Sequence, residues 1–214
     1  MSPVWAVSAV DGINMETHED NVRPVVESLF PTGGVFVDIG AHLGLYTVTL
    51  GARASKVVAV EPNPDIAAVL RQNIQLNGLE GVVTVLELAA WDRYENLASD
   101  NPSPSDPNDK LSGWMRVIQV ADGAVTGRRL DDVLPRLDQL DLVKVDTEGS
   151  DLRALRGMVQ HLMVFKPTLF VESHEHLAYG YSFEDMYETL ESLGYGWEPG
   201  PTWMGSHHFI CRPL

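Results

Sequence analysis

The chain has 214 residues, 44% of them hydrophobic and 21% charged, a balance that suits one globular domain with a real core and argues against global disorder. Its formal charge of −15 disfavours nucleic acid, because phosphate repulsion would act over the whole surface, whereas a diffusing cation, a neutral sugar or an alcohol is compatible with that field. The single cysteine, Cys211, allows no internal disulfide, and no stretch reads as a signal peptide or a membrane span, so the expected address is the cytoplasm.

Residues 1–34 read as an N-terminal arm and a helix packing on a single core domain, 35–214. Val22, Val25, Val26 and Leu29 fall at helical spacing, and Pro24 sits in the first turn, where a missing N–H costs nothing. Pro31-Thr32-Gly33-Gly34 ends that helix. Residues 35–39 form the first strand, which runs into Gly40-Ala41-His42-Leu43-Gly44, a tight turn opening a helix with Leu45, Val48, Thr49 and Ala52 on its buried face. Residues 56–60 form a second strand, apolar on both faces, that ends at Glu61. Asn63 then suits an N-cap, with Pro64 at the first helical position, for a helix striped by Ile66, Val69, Leu70 and Ile74 and stopped at Gly78. A third strand, 82–88, leads to Ala89-Ala90-Trp91-Asp92. From 95 to 113 Ser, Asp, Asn and Pro dominate, and the expectation is a mobile loop insertion acting as a lid. Residues 114–120 and 126–130 read as short strands and 130–137 as a short helix. The fourth strand, 141–145, ends at Asp146-Thr147-Glu148-Gly149, after which Leu152, Leu155, Val159 and Leu162 mark one helix face. The fifth, 167–171, ends at Glu172-Ser173-His174-Glu175-His176. A last helix carries Phe183, Met186, Tyr187 and Leu190, and 195–198 with 208–211 make an antiparallel pair. The fold class is therefore α/β, a doubly wound and mostly parallel sheet with one antiparallel edge.

Four of these strands end in an acid: Asp38, Glu61, Asp146 and Glu172. In a parallel sheet the ligand crevice lies beyond the carboxyl ends of the strands, so all four are expected to face it. A carboxylate ending the second strand is placed to accept both hydroxyls of a ribose and would repel a 2′-phosphate, which points to a nucleoside. Two nucleoside ligands then compete. A nicotinamide dinucleotide, and with it an oxidoreductase, needs G-x-G-x-x-G so that backbone N–H groups reach the pyrophosphate, and here His42 occupies the middle glycine position. Gly40-x-x-x-Gly44 makes a poor phosphate cradle, whereas Asp38 suits an ammonium group. S-adenosylmethionine has no phosphate and carries an ammonium and a sulfonium, both favoured by a negative crevice. A module that binds this nucleoside without turnover is the alternative from outside enzymology.

At this point the residues resemble the FkbM-like group of class I methyltransferases, from about Val35 to His174. The resemblance is carried by Val37-Asp38-Ile39-Gly40-Ala41-His42-Leu43-Gly44, Val60-Glu61-Pro62-Asn63, Arg129-Leu130-Asp131-Asp132, the residues 167–172 and, most specifically, Lys144-x-Asp146-x-Glu148-Gly149. The group usually has Asn where His42 stands. The resemblance implies a Rossmann-like sheet of seven strands with a reversed last strand, S-adenosylmethionine as cofactor, and methylation of a hydroxyl on a small molecule, sugar or natural product. In that scheme Asp38, Gly40, His42 and Gly44 surround the amino-acid end of the cofactor. Glu61, Pro62 and Asn63 serve the ribose, Ala90, Trp91 and Asp92 border the adenine, and Asp146 closes the pocket on its reactive side. Glu148 reads equally as a carboxylate favoured at a helix N-terminus. The acceptor proton needs a base, and His174 is the candidate, oriented by Glu172 or Asp146. Asp146, Glu172, His174 and His176 also admit a Mg²⁺ ion, the less favoured reading because their spacing matches no dedicated ligand motif. Trp91, Trp114, Trp197 and Trp203 suit core and edge packing better than stacking on an acceptor.

Overall fold

The computed structural model describes residues 2–6, 9–10, 13–100, 116–120, 122–174, 181–204 and 206–214. A short ladder of β1 (Ala9–Val10) and β2 (Ile13–Asn14) precedes α1 (Arg23–Leu29), which has Pro24 in its first turn. Two strand–helix–strand units follow: β3 (Val35–Ile39), α2 (Leu45–Gly51), β4 (Lys56–Val60), α3 (Pro64–Leu76) and β5 (Val83–Leu86). The chain then leaves the main sheet for β6 (Ala89–Ala90), β7 (Glu95–Asp100), β8 (Arg116–Gln119) and β9 (Val125–Arg128), and returns through α4 (Leu130–Val133). The remainder is β10 (Leu142–Val145), α5 (Asp151–Arg156), α6 (Val159–Phe165), β11 (Thr168–Ser173), α7 (Phe183–Ser192), β12 (Tyr195–Trp203) and β13 (Ser206–Pro213).

The main sheet has seven strands in the order β12-β13-β11-β10-β3-β4-β5. Its members are parallel from β5 to β11, while β13 runs antiparallel to both β11 and β12. The last strand is thus the reversed one, and it lies inside the sheet. Strand order turns around between β3 and β10, so the ligand crevice of this α/β sheet opens where those two strands end.

Each face of the sheet is covered by its own apolar layer. One layer joins Phe36, Val57, Leu142, Phe170 and Ile210 to Leu50, Leu70 and the N-terminal residues Met15, Val22, Val26 and Phe30. The other joins Val37, Val58, Val143 and Val171 to Leu152, Leu155, Leu162 and Met186. Side chains alternate along a strand, so the residue two places on shares a face. Asp38 follows Phe36, Lys144 follows Leu142, Glu172 follows Phe170, and on the reversed strand His208 precedes Ile210. The first face therefore changes from apolar to ionic at its crevice end.

Two expectations are corrected here. Residues 95–100 are not loop: β7 pairs with β8 and β9 in a four-stranded sheet whose core is Ala89, Trp91, Leu97, Val117 and Val125. Leu97 is the apolar anchor in a strand of mostly polar residues, too little to mark a period in the sequence. The rest of the expected lid, 101–113, lies outside the described residues, as do Trp114 and His176. The helix expected over 152–162 is two helices, α5 and α6, broken at Gly157. A Cβ there would stand 2.0 Å from the Trp91 carbonyl oxygen, and Gly157 in turn accepts from the Asp131 amide (2.9 Å), so the small sheet docks where the helix breaks.

Candidate functional site

The turn after β3 is built by close approach. Gly40 has φ +77°, and a Cβ on it would lie 1.7 Å from the Asp146 carbonyl oxygen, so glycine is what lets the ends of β3 and β10 meet. The Gly40 and Ala41 amides both donate to Val60 (3.0 Å each). Glu61 then staples this turn to the next one, its Oε2 accepting from the His42 amide and its Oε1 from the Asn63 amide, both at 2.9 Å. Asn63 caps α3 as its position predicts, accepting from the Asp65 amide at 2.9 Å. Asp38 is 1% exposed. Its Oδ2 accepts from Thr47 Oγ1 at 2.6 Å, and its Oδ1 has no hydrogen-bond partner among the described residues.

Burial pushes Asp38 up to about 6 against the Lys144 charge and the Thr47 hydroxyl, and pushes Glu61 up to about 7 against its two backbone donors. Both folded values exceed the unfolded ones. The stability linked to these groups is therefore full below their ordinary values and is lost as pH rises through 6 to 7. The ligand-free protein is expected to melt lower at pH 8 than at pH 5 in scanning calorimetry. Asp38→Asn should flatten that slope, the Asp38 share above pH 5 being about 1.4 kcal/mol, the worth of the one pH unit left below its raised pKa. A variant with the wild-type slope would show that the buried Asp38 does not titrate in this interval.

Lys144 lies directly across from Asp38 in the β3–β10 ladder and is 4% exposed. Its Nζ is 2.9 Å from Asp146 Oδ2 and 5.2 Å from the centre of the Tyr46 ring. The Tyr46 hydroxyl donates to Glu19 Oε2. One ammonium thus answers three carboxylates, Asp146, Asp38 and Glu19, whose charges hold its pKa above the usual lysine value in spite of burial. Burial would raise Asp146, but the Lys144 charge, with His174 next, brings it down to about 2.

His174 follows the end of β11 and sits among four carboxylates. Its Nδ1 is 3.4 Å from Asp151 Oδ2, and its Nε2 is 3.5 Å from Glu172, 3.6 Å from Glu148 and 4.0 Å from Asp146. Asp151, at the start of α5, is fixed in turn by the Thr147 amide (2.9 Å) and hydroxyl (2.7 Å). The Nδ1 partner is therefore Asp151, whereas the sequence suggested Glu172 or Asp146. Glu172 lies between two imidazoles, since His208 Nε2 is 3.2 Å from its other oxygen and His208 Nδ1 is 2.7 Å from the Pro201 carbonyl. Burial opposes a charge on His174, but the Asp151 contact and then the Asp146 and Glu148 charges push its pKa up to about 10. In the ligand-free site His174 is an imidazolium at neutral pH, so the ordinary histidine value assumed from sequence does not hold. Glu148, at φ +51°, is pushed up to about 8 by burial and by the neighbouring Asp146 charge. Ligand atoms of Asp146, Glu148 and His174 all lie within 4.8 Å of one another, a geometry that can hold a metal ion.

The expected adenine side is differently built. Ala90 is buried, and Trp91 is fully buried, its Nε1 donating to Glu95 Oε2 at 2.8 Å and its ring covered by the Arg153 guanidinium at 4.8 Å. It belongs to the small core and offers no face to a ligand in this conformation. Asp92 accepts from Arg153 at 2.8 Å and from Arg93 at 3.3 Å, so it is not a free acceptor. Trp197 stacks on Tyr187 at 4.3 Å and Trp203 meets His18 edge-on at 5.9 Å. Asp131 accepts from Arg129 (3.1 Å) and from the Gln160 (3.1 Å) and His161 (3.2 Å) amides, which makes the Arg129–Asp132 motif a cap for α6. Sequence reasoning missed Glu19, Tyr46, Asp151 and His208. A lysine inside an apolar strand was a signal that buried carboxylates surround it; nothing local pointed to Glu19.

A doubly wound sheet with a reversed seventh strand, and with acids at the strand ends that border its switch point, is the architecture of a class I methyltransferase. The chain belongs to the methyltransferase FkbM domain family, whose model matches residues 38–196. It is 26% identical over 204 residues to methyltransferase sdnD of Sordaria araneosa, covering 80% of this chain and 78% of that one. To methyltransferase 1 of Beauveria bassiana (strain ARSEF 2860) it is 25% identical over 151 residues, 60% of each chain. The crystal structure of methyltransferase FkbM from Methylobacillus flagellatus KT matches 86% of this chain with a TM-score of 0.60 at 19% identity, a likeness of fold, and the match spans 45% of that longer chain. Among the described residues no helix is long and apolar enough to cross a membrane.

Proposed function

We propose that this chain transfers a methyl group from S-adenosylmethionine to a hydroxyl of a small molecule or sugar. The observation that carries the reading is the meeting, at one switch point, of buried carboxylates suited to a phosphate-free nucleoside with a histidine held by Asp151. The residues fit the cofactor. Asp38 Oδ1 is a buried acceptor without a partner among the described residues, which suits an ammonium, and each Glu61 oxygen keeps a lone pair for a ribose hydroxyl beyond its one backbone donor. Gly40, His42 and Gly44 would shape the amino-acid end, Pro62 and Asn63 would flank the ribose, and Ala90 and Asp92 would border the adenine. Membership of the FkbM family decides against the nicotinamide alternative.

Bound S-adenosylmethionine supplies a methyl group on an activated leaving group. The protein has to align the acceptor oxygen and take its proton. In this scheme His174 Nε2 takes the proton while Asp151 holds Nδ1, and the surrounding carboxylates stabilise the imidazolium that results. His174 must first give up the proton it carries in the free site, and added positive charge beside Asp146 lowers its pKa toward neutrality. The test is incubation with methyl-labelled S-adenosylmethionine and a panel of sugars and small alcohols beside their amine counterparts. Label recovered in a methyl ether is the expected product; label on nitrogen, or on no acceptor, overturns the reading.

Glu61→Ala is expected to weaken S-adenosylmethionine binding by about 1.5–3 kcal/mol, the range for hydrogen bonds to a charged group. Calorimetric titration checks it, and unchanged affinity would remove Glu61 from the ribose contact.

A further inference from the structure

The segment ahead of the family domain reaches into this site. Glu19 lies outside the matched region 38–196, yet it is 7% exposed and in left-handed backbone at φ +55°. A non-glycine residue rarely takes that conformation, and it persists where surroundings over-determine it. Here they do. The Glu19 carbonyl accepts from the Val22 (2.9 Å) and Arg23 (2.8 Å) amides, its Oε1 meets His18 at 3.3 Å, and its Oε2 accepts from the Tyr46 hydroxyl. His18 packs on Trp203, and Asn21 donates to the Thr202 carbonyl at 2.9 Å, so the segment is also pinned to the C-terminal hairpin. Burying an ionised cluster adds little stability over an apolar packing of similar volume, which leaves the placement of charge as what this arrangement achieves.

We propose that Glu19 is a positioning residue of the methyl-transfer site, holding Tyr46 and, through its ring, the Lys144 ammonium in the place where it orients Asp146. This rests on the reading of Asp146 as a wall of the cofactor pocket. Lys144 divides its charge among Asp146, Asp38 and Glu19. When Glu19 loses its charge, Lys144 pairs more fully with Asp146 and Asp38, and those two carboxylates are less available to a positive ligand. S-adenosylmethionine and S-adenosylhomocysteine differ by a methyl group and the sulfonium charge, so the ratio of their affinities reads this effect. A merely structural role would weaken both equally.

The experiment titrates both ligands calorimetrically into wild type, Glu19→Gln, Tyr46→Phe and the double variant, with melting temperatures recorded for each. Glu19→Gln is expected to reduce the preference for S-adenosylmethionine over S-adenosylhomocysteine by roughly three- to thirtyfold, within the range of a coupling between residues in one network. Tyr46→Phe keeps the ring under Lys144 and should act in the same direction more weakly, which preserves the test if Glu19→Gln does not fold. The double variant should be no worse than Glu19→Gln, because both changes lie on one path. An unchanged ratio in the folded variants, or additive losses, overturns the proposal alone. Wild type that binds neither ligand overturns the cofactor reading and the proposal with it.

Discussion

His174→Ala is expected to lower turnover by roughly 10²–10⁴-fold, the usual contribution of a positioned acid or base, with S-adenosylmethionine affinity largely retained. The fold should tolerate the change, since Asp146 keeps Lys144, Glu172 keeps His208 and Asp151 keeps its two bonds from Thr147. The assay is initial rate against the acceptor identified with the labelled cofactor, alongside a binding titration. The same side chain is one corner of the Asp146–Glu148–His174 group, so a chelator belongs in the experiment. A loss in the variant with no response of wild type to chelator supports the base. Loss of wild-type activity to chelator, restored by Mg²⁺, assigns His174 to a metal instead. Full activity in the variant with no effect of chelator leaves alignment as the whole of catalysis.

Lys144→Met is expected to cost about 3–5 kcal/mol of stability, because it leaves the buried Asp38 and Glu19 and the partly buried Asp146 around an apolar side chain. Denaturant unfolding measures it. The loss should shrink at acid pH, since Asp38, pushed up to about 6 by burial, then takes up a proton and one of the three charges disappears. A cost under about 1 kcal/mol, the scale of an exposed pair, would mean that water already reaches the cluster.

Much of this was legible in the sequence for a physical reason. The parallel strands are continuous apolar runs, the helices carry one-sided stripes, and Asn63-Pro64 and Gly40 have positional meanings that survive any tertiary context. The acids at the strand ends were legible too, because strand direction fixes where they go. What was not legible came from packing between distant segments. Glu19 and Lys144 are neighbours through Tyr46, and no local pattern links them. Trp91 follows a strand and so reads as a wall for the adenine, but Arg153 from α5 covers the indole. The charge of His174 is not legible locally, since carboxylates from three segments surround it and raise its pKa. The β7 strand leaves little mark in the sequence because a small sheet needs so little apolar surface from each of its members.

The position of β13 has a further consequence, for the order in which the sheet can form. It follows every other strand of the sheet in the chain, yet it pairs with β11 on one side and β12 on the other. Until it is in place, β12 has no partner in the main sheet and β11 presents an open edge, the kind of template that draws other chains into pairing. The half containing β3, β4 and β5 closes through short crossovers, its paired residues 21 to 26 apart in the chain, and needs nothing that comes later to pair within itself, whereas β11 meets β13 across 34 to 42 residues. Refolding is therefore expected to protect the β3–β4–β5 amides from hydrogen exchange before those of β11 and β12, and the interval between the two is when the chain is most prone to self-association.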